Sequence, residues 1–140
     1  MGIVISRREL RSVDKGRFLK PIIYCNPEKE LIDNAISLNV LLAEKLVGIK
    51  PKRRAMRMEQ CVQQVLSVLP ENTVIKDFDV MFNPEYKIDV LHILVAQCRV
   101  KPFDVLWPGR CEDEKLIYAE EGFRDYRVFE INKYDVTCVV

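Results

Sequence analysis

The sequence predicts a single three-layer α/β domain with a parallel sheet and an antiparallel addition at its C-terminus, and three observations predict it. Short apolar runs of strand length alternate with longer amphipathic runs of helix length as far as residue 107, the rhythm that parallel sheets and their crossover helices produce. Beyond about residue 115 the apolar period drops to two, the mark of half-buried strands. The chain has 140 residues, of which 49% are hydrophobic and 31% charged. That is enough apolar surface for one core, in a length that leaves no room for two ordinary domains.

The elements follow in order. Lys20-Pro21-Ile22-Ile23-Tyr24-Cys25 is an apolar run closed by Asn26-Pro27, which reads as a buried strand and a turn. Residues 28–46 are helix-rich, with Asp33-Asn34 or Ser37 as a break and Leu38, Leu41, Leu42 and Leu46 at helical spacing; Gly48 ends that helix. Met58, Val62, Val65, Leu66 and Leu69 mark the apolar face of a helix over 53–69. Pro70-Glu71-Asn72 is a loop, and residues 73–77 form a strand that ends in acid. Asn83 and Pro84 have the residue types of an N-cap and first helical position for a helix running to about residue 99. Residues 103–107 are the next strand, stopped by Pro108-Gly109. Residues 115–119, 126–131 and 136–140 read as the terminal strands of the antiparallel addition.

Composition narrows the chemistry. Net charge is only +1, but it is unevenly spread. Residues 1–70 hold 13 Lys/Arg against 7 Asp/Glu, net +6, and residues 71–140 hold 9 against 14, net −5. Such asymmetry permits an anionic partner or head-to-tail homo-oligomerisation, although an unevenly charged solvated surface is the simpler account. The cysteines Cys25, Cys61, Cys98, Cys111 and Cys138 contain no CxxC pair, and His92 is the lone histidine. No zinc-ligand spacing can be assembled, so no metal site is expected and the thiols read as reduced and buried. No apolar stretch is long enough to span a bilayer, so the expectation is a cytoplasmic protein with no membrane partner.

Phosphate chemistry has a partial signature. Thr73-Val74-Ile75-Lys76-Asp77-Phe78-Asp79 looks like a Walker B strand, whose terminal carboxylate holds Mg²⁺; Asp77 or Asp79 would be that group. A phosphate-cradling loop should then follow the first strand, with glycines, a lysine and a Ser or Thr. Here that loop is Cys25-Asn26-Pro27-Glu28-Lys29-Glu30, and no glycine occurs between Arg17 and Val47. Pro27 removes an amide donor, and Glu28 and Glu30 place negative charge where a polyphosphate would lie. Lys29 is a weak match to the P-loop lysine, because no Ser or Thr follows it. Glu28 to Glu30 read more simply as the acidic first turn of a helix.

Other constellations are weaker. His92, beside Leu91 and Ile93, reads as a partly buried structural histidine, and no Gly-x-Ser-x-Gly elbow is present. Arg110, Glu112, Asp113 and Glu114 read as a solvated loop rather than a catalytic cluster. Lys50, Lys52, Arg53, Arg54 and Arg57 form the densest basic run. They could contact the phosphates of DNA or RNA, but no aromatic is interleaved for base stacking. A solvated helix start is the simpler account.

Taken together, Leu38-Asn39-Val40-Leu41-Leu42-Ala43-Glu44-Lys45-Leu46, Lys52-Arg53-Arg54-Ala55-Met56-Arg57, Val74-Ile75-Lys76-Asp77 with Met81-Phe82-Asn83-Pro84-Glu85-Tyr86-Lys87-Ile88-Asp89, and Trp107-Pro108-Gly109 with Glu112 to Glu120 and Tyr126-Arg127 form an ordered set. In that order and spacing, over about residues 36–130, the chain resembles the small P-loop protein found with type 3 BREX phage-defence systems in bacteria. The resemblance implies a P-loop-nucleotidase-like sheet and a defence context. It does not carry over the phosphate-binding residues, since Asn26-Pro27-Glu28-Lys29-Glu30 stands where the family has its Gly-rich loop.

The leading expectation is therefore a degenerate, non-hydrolysing P-loop-like subunit that binds other proteins of a defence complex, with no catalytic residue and no cofactor. One alternative is a small active ATPase using ATP and Mg²⁺ through an unusual loop. The other is a nucleic-acid contact module built on the basic run, touching DNA.

Overall fold

The structure is a computed structural model and describes residues 1–140, the side chain of Lys15 excepted. The chain is a mixed α/β fold with two sheets. Strands β1 (Ile3–Ile5), β2 (Ile22–Tyr24), β3 (Ile36–Ser37), β4 (Thr73–Lys76) and β5 (Phe103–Leu106) join a last strand, β9 (Thr137–Val139), in a six-stranded sheet ordered β1-β9-β2-β5-β4-β3, every pair parallel. Strands β6 (Arg110–Glu112), β7 (Lys115–Tyr118) and β8 (Arg127–Glu130) form a separate antiparallel sheet. The helices are α1 (Arg7–Ser12), α2 (Lys29–Asn34), α3 (Asn39–Val47), α4 (Arg54–Ser67) and α5 (Val90–Val100).

Alternation along the strands builds the three layers. Ile22, Tyr24, Leu106 and Val139 pack on one face with Leu10 of α1 and Leu31 of α2. Their neighbours Ile23, Val105, Cys138 and Ile75 point to the other face and pack with Met58, Val62 and Val65 of α4 and Leu91, Leu94 and Val95 of α5. A parallel sheet covered on both faces needs strands that are apolar throughout, and β2 is buried at all three positions. Truncating a wholly buried residue such as Ile22, Ile23 or Ile75 to Ala costs about 2–5 kcal/mol.

One polar residue interrupts this pattern. Asp104 of β5 is buried, and its carboxylate accepts from Lys20 Nζ at 3.0 and 3.2 Å and from the Ile22 amide at 3.1 Å. It holds the entry of β2 against β5.

The antiparallel sheet is fastened by aromatics. The Phe82 and Tyr118 rings stack with centroids 3.7 Å apart, and Trp107 and Phe129 meet edge to face at 5.7 Å. Trp107 Nε1 donates to the Ile117 carbonyl at 3.0 Å. A side chain on Gly109 would put Cβ 1.9 Å from the same carbonyl oxygen, which explains the glycine in Trp107-Pro108-Gly109.

Several expectations are corrected. The last strand does not extend the antiparallel addition; it enters the main sheet between β1 and β2, in parallel. Helix α5 starts after Asp89, whose carboxylate accepts from the His92 amide at 3.0 Å. Asn83 caps only a local turn, with Oδ1 accepting from the Glu85 amide, and the left-handed Lys87 (φ 51°) separates that turn from the helix. His92 itself is exposed. The break expected inside residues 28–46 is present, and it contains the edge strand β3. Residues 110–112, expected in a loop, form β6, and Asp113 and Glu114 are its hairpin turn (φ 51° and 59°). Arg110 pairs with Glu112 at 3.2 Å and Glu120 at 3.5 Å.

Candidate functional site

In open α/β sheets ligands bind outside the carboxyl ends of the parallel strands, and a sizeable cavity lies there. Its volume is about 350 Å³, between α1 and α2 above the ends of β2 and β9, with Leu10, Tyr24, Pro27, Leu31 and Val139 as its apolar wall. Its charged rim is Arg7, Arg11, Glu28 and Glu30.

Local sequence places those groups. Ser6 and Glu9 form a capping box that starts α1, and Arg7 and Arg11, four apart, then share a face. After β2, the Cys25 amide donates to the Val139 carbonyl at 2.9 Å. The chain then turns through Asn26-Pro27 into α2. Glu28 stands at the N-cap of α2 but does not cap it with its side chain. Its carboxylate accepts from Arg11 at 2.7 Å instead, and Arg7 lies 3.7 Å away. The two arginines at this rim are thus already matched to a carboxylate of the same loop.

The expected phosphate-site residues do not converge here. Lys29 opens α2 and is exposed, and it is not among the cavity's lining residues. Asp77 and Asp79 follow β4, which β5 separates from β2. Asp77 has a left-handed backbone (φ 49°) and accepts from Ser37 Oγ at 2.8 Å, tying β4 to β3. Asp79 accepts from the Tyr118 hydroxyl at 3.2 Å. Burial, with the Asp79 charge beside it, pushes that phenol up to about 12.

The basic run lies at the junction of α3 and α4. Lys50, Lys52, Arg53 and Arg57 are exposed. Arg54 is not part of that free surface: its Nε donates to the Leu46 and Ile49 carbonyls, both at 3.0 Å, closing the end of α3. Beside it a notch of about 190 Å³ is lined by Lys45, Gly48, Ile49, Arg57, Gln60, Cys61 and Gln64. Sequence reading missed this notch and the α1 arginines. Ser6-x-x-Glu9 is the available signal for α1; the notch exists only once α3 and α4 pack against each other.

The cysteines carry no disulfide. Cys25 of the β2 turn and Cys138 of β9 are buried in one cluster with Cys111 at its margin. A hydrogen bond with Cys138 and burial push the Cys25 thiol far up, and burial pushes Cys111 up to about 12. Raised in this way, Cys25 and Cys111 are disfavoured as thiolates, the reactive form. Among the described residues no group of three or more His, Cys, Asp or Glu is arranged to hold a metal ion, and no helix is long and apolar enough to cross a membrane.

The fold and site define a mixed α/β protein with a cavity that opens at the carboxyl edge of a six-stranded parallel sheet. Comparisons with protein-family models, curated proteins and solved structures give no match.

Proposed function

We propose that this chain is a non-hydrolysing, P-loop-like accessory subunit, cytoplasmic, that acts by binding other proteins of a bacterial phage-defence complex of the BREX kind. The observation that carries the first half is the loop after β2: the Glu28 carboxylate occupies Arg7 and Arg11 at the carboxyl edge of the sheet. A polyphosphate arriving there meets a like charge, finds the nearby cations engaged, and lacks the amide that Pro27 cannot supply. Losing two charge-assisted hydrogen bonds forfeits about 3–6 kcal/mol, which is about two to four decades of affinity. The Ser37 partner of Asp77 supports a structural task for that carboxylate. The defence context rests on the resemblance of residues 38–46, 52–57, 74–89 and 107–127 described above.

Calorimetry with ATP and Mg²⁺ tests the reading, comparing the natural chain with Asp77→Ala. The expected result is no binding in either. Micromolar binding that disappears in the variant overturns it in favour of a small ATPase. Co-purification with the products of neighbouring genes tests the context. Retention of a methyltransferase, a large ATPase or a PglZ-like phosphatase supports it, and a chain that runs alone while those proteins are co-expressed opposes it.

A further inference from the structure

The α3–α4 notch has two cations in its lining, Lys45 and Arg57, and Lys50, Lys52 and Arg53 lie close to it in sequence. Among the described residues, Lys45, Lys50, Lys52, Arg53 and Arg57 make no ion pair, whereas Arg7, Arg11, Lys20, Arg99, Arg110 and Lys133 each meet a carboxylate. On α4, Arg57, Gln60, Cys61 and Gln64 recur at i, i+3, i+4 and i+7 and face the notch together. Glu59, two residues from Arg57, falls about 200° around the same helix. No carboxylate lines the notch. Burial pushes the Cys61 thiol up while Lys45 and Arg57 pull it back, so both cations act on one floor.

The notch is also held in shape. Arg54 ties the Leu46 and Ile49 carbonyls, fixing the Gly48-Ile49 turn that forms one wall. Lys50, Lys52 and Arg53 follow that turn as an exposed rim.

We propose that this notch is a phosphate-binding site for the backbone of duplex nucleic acid, with Lys45 and Arg57 neutralising a phosphate, Gln60 and Gln64 donating amide hydrogens to it, and Lys50, Lys52 and Arg53 following the strand. Cations with neutral donors in a concave site suit phosphate oxygens, and such contacts position a protein without reading sequence. A duplex is favoured over a single strand because no aromatic side chain lines the notch to stack on unpaired bases.

The test is fluorescence anisotropy with a short labelled duplex, titrated from about 50 to 200 mM salt. Lys45→Gln combined with Arg57→Gln should cut affinity at least tenfold. The slope of log K against log salt should fall by about one, since the one phosphate contact that the two cations share removes about 0.9. Gln60→Ala combined with Gln64→Ala should weaken binding and leave the slope unchanged, because neutral donors release no counterions. All four side chains are exposed, so each variant should keep the natural melting temperature. The proposal fails if the natural chain does not bind the duplex at low salt. It fails if the cation variant binds with unchanged affinity and slope, or if only phosphatidylserine vesicles bind and the duplex does not. Any of these outcomes leaves the ATP measurement, and the reading of the β2 loop, untouched.

Discussion

The cations of α1 and those of the α3–α4 junction differ in what surrounds them. Arg7 and Arg11 face the cavity at the carboxyl edge of the sheet and are met by Glu28 from α2's start. Lys45 and Arg57 face a smaller notch with no carboxylate in its lining. An ion pair within the chain spends its charge on the fold, while a cation without one is left to solvent or to an anionic partner. The difference separates a closed edge at the β2 turn from an open one at the α3–α4 junction. It also orders the cations by how deeply the fold depends on each.

The largest expected effect lies at the buried extreme of that order. Asp104→Ala leaves Lys20 without its carboxylate and orphans the Ile22 amide inside the sheet. Breaking a buried pair costs about 3–5 kcal/mol, and Lys20 keeps some access to water, so about 3 kcal/mol is expected. Urea unfolding reads it as a lower midpoint with an unchanged slope. A loss below about 1 kcal/mol, the range of surface pairs, would show that β2 does not depend on this carboxylate.

Arg54 comes next and divides the basic run. Its guanidinium donates to the Leu46 carbonyl of α3 and to the Ile49 carbonyl of the turn that follows, and a hydrogen bond from a charged group contributes about 1.5–3 kcal/mol. Arg54→Ala should therefore cost about 2 kcal/mol by thermal or urea unfolding, and Arg53→Ala should stay within about 0.5 kcal/mol. Equal losses at the two positions would dissolve the division. Any binding study of this run should accordingly leave Arg54 in place.

Sequence alone reaches the three central strands and the layers around them, and the reason is local. Ile22-Ile23-Tyr24, Thr73 to Lys76 and Phe103 to Leu106 are short, mostly apolar runs near turn-forming residues, and each reads the same in isolation as in the sheet. The rest depends on contacts between distant residues. Thr137 to Val139 has the pattern of a strand, but nothing in it says that Ile3 and Ile22 flank it in parallel. Ile3 to Ile5 is too short to announce itself, and it becomes a strand because β9 offers it an edge. Asn83 and Asp89 are both good caps, and the left-handed Lys87 between them decides in favour of the second. The candidate sites divide the same way. That the turn after β2 is free of glycine and carries Pro27 and Glu28 is legible directly. The Arg7–Arg11–Glu28 grouping is not, because its members come from two helices that meet only across β2.

The smallest effect sharpens the comparison most. Arg11→Ala removes the closer of the two contacts to Glu28, a pair between side chains that are 71% and 54% exposed. Such pairs contribute about 0.2–1 kcal/mol, so the loss should be small, and added salt should shrink it further by screening. Arg57→Gln should cost nothing, because the residue is exposed and has no carboxylate partner among the described residues. Relieving repulsion from Lys45 across the notch could even raise stability by a few tenths of a kcal/mol, the size of like-charge effects on helices. Chemical denaturation of the two variants at low and high salt resolves the pair. A salt-sensitive loss in Arg11→Ala with none in Arg57→Gln fits one set of cations committed to the fold and one left for a ligand. A clear loss in Arg57→Gln would mean that the notch has an intramolecular partner, and its cations would then be no more available to a phosphate than those held by Glu28.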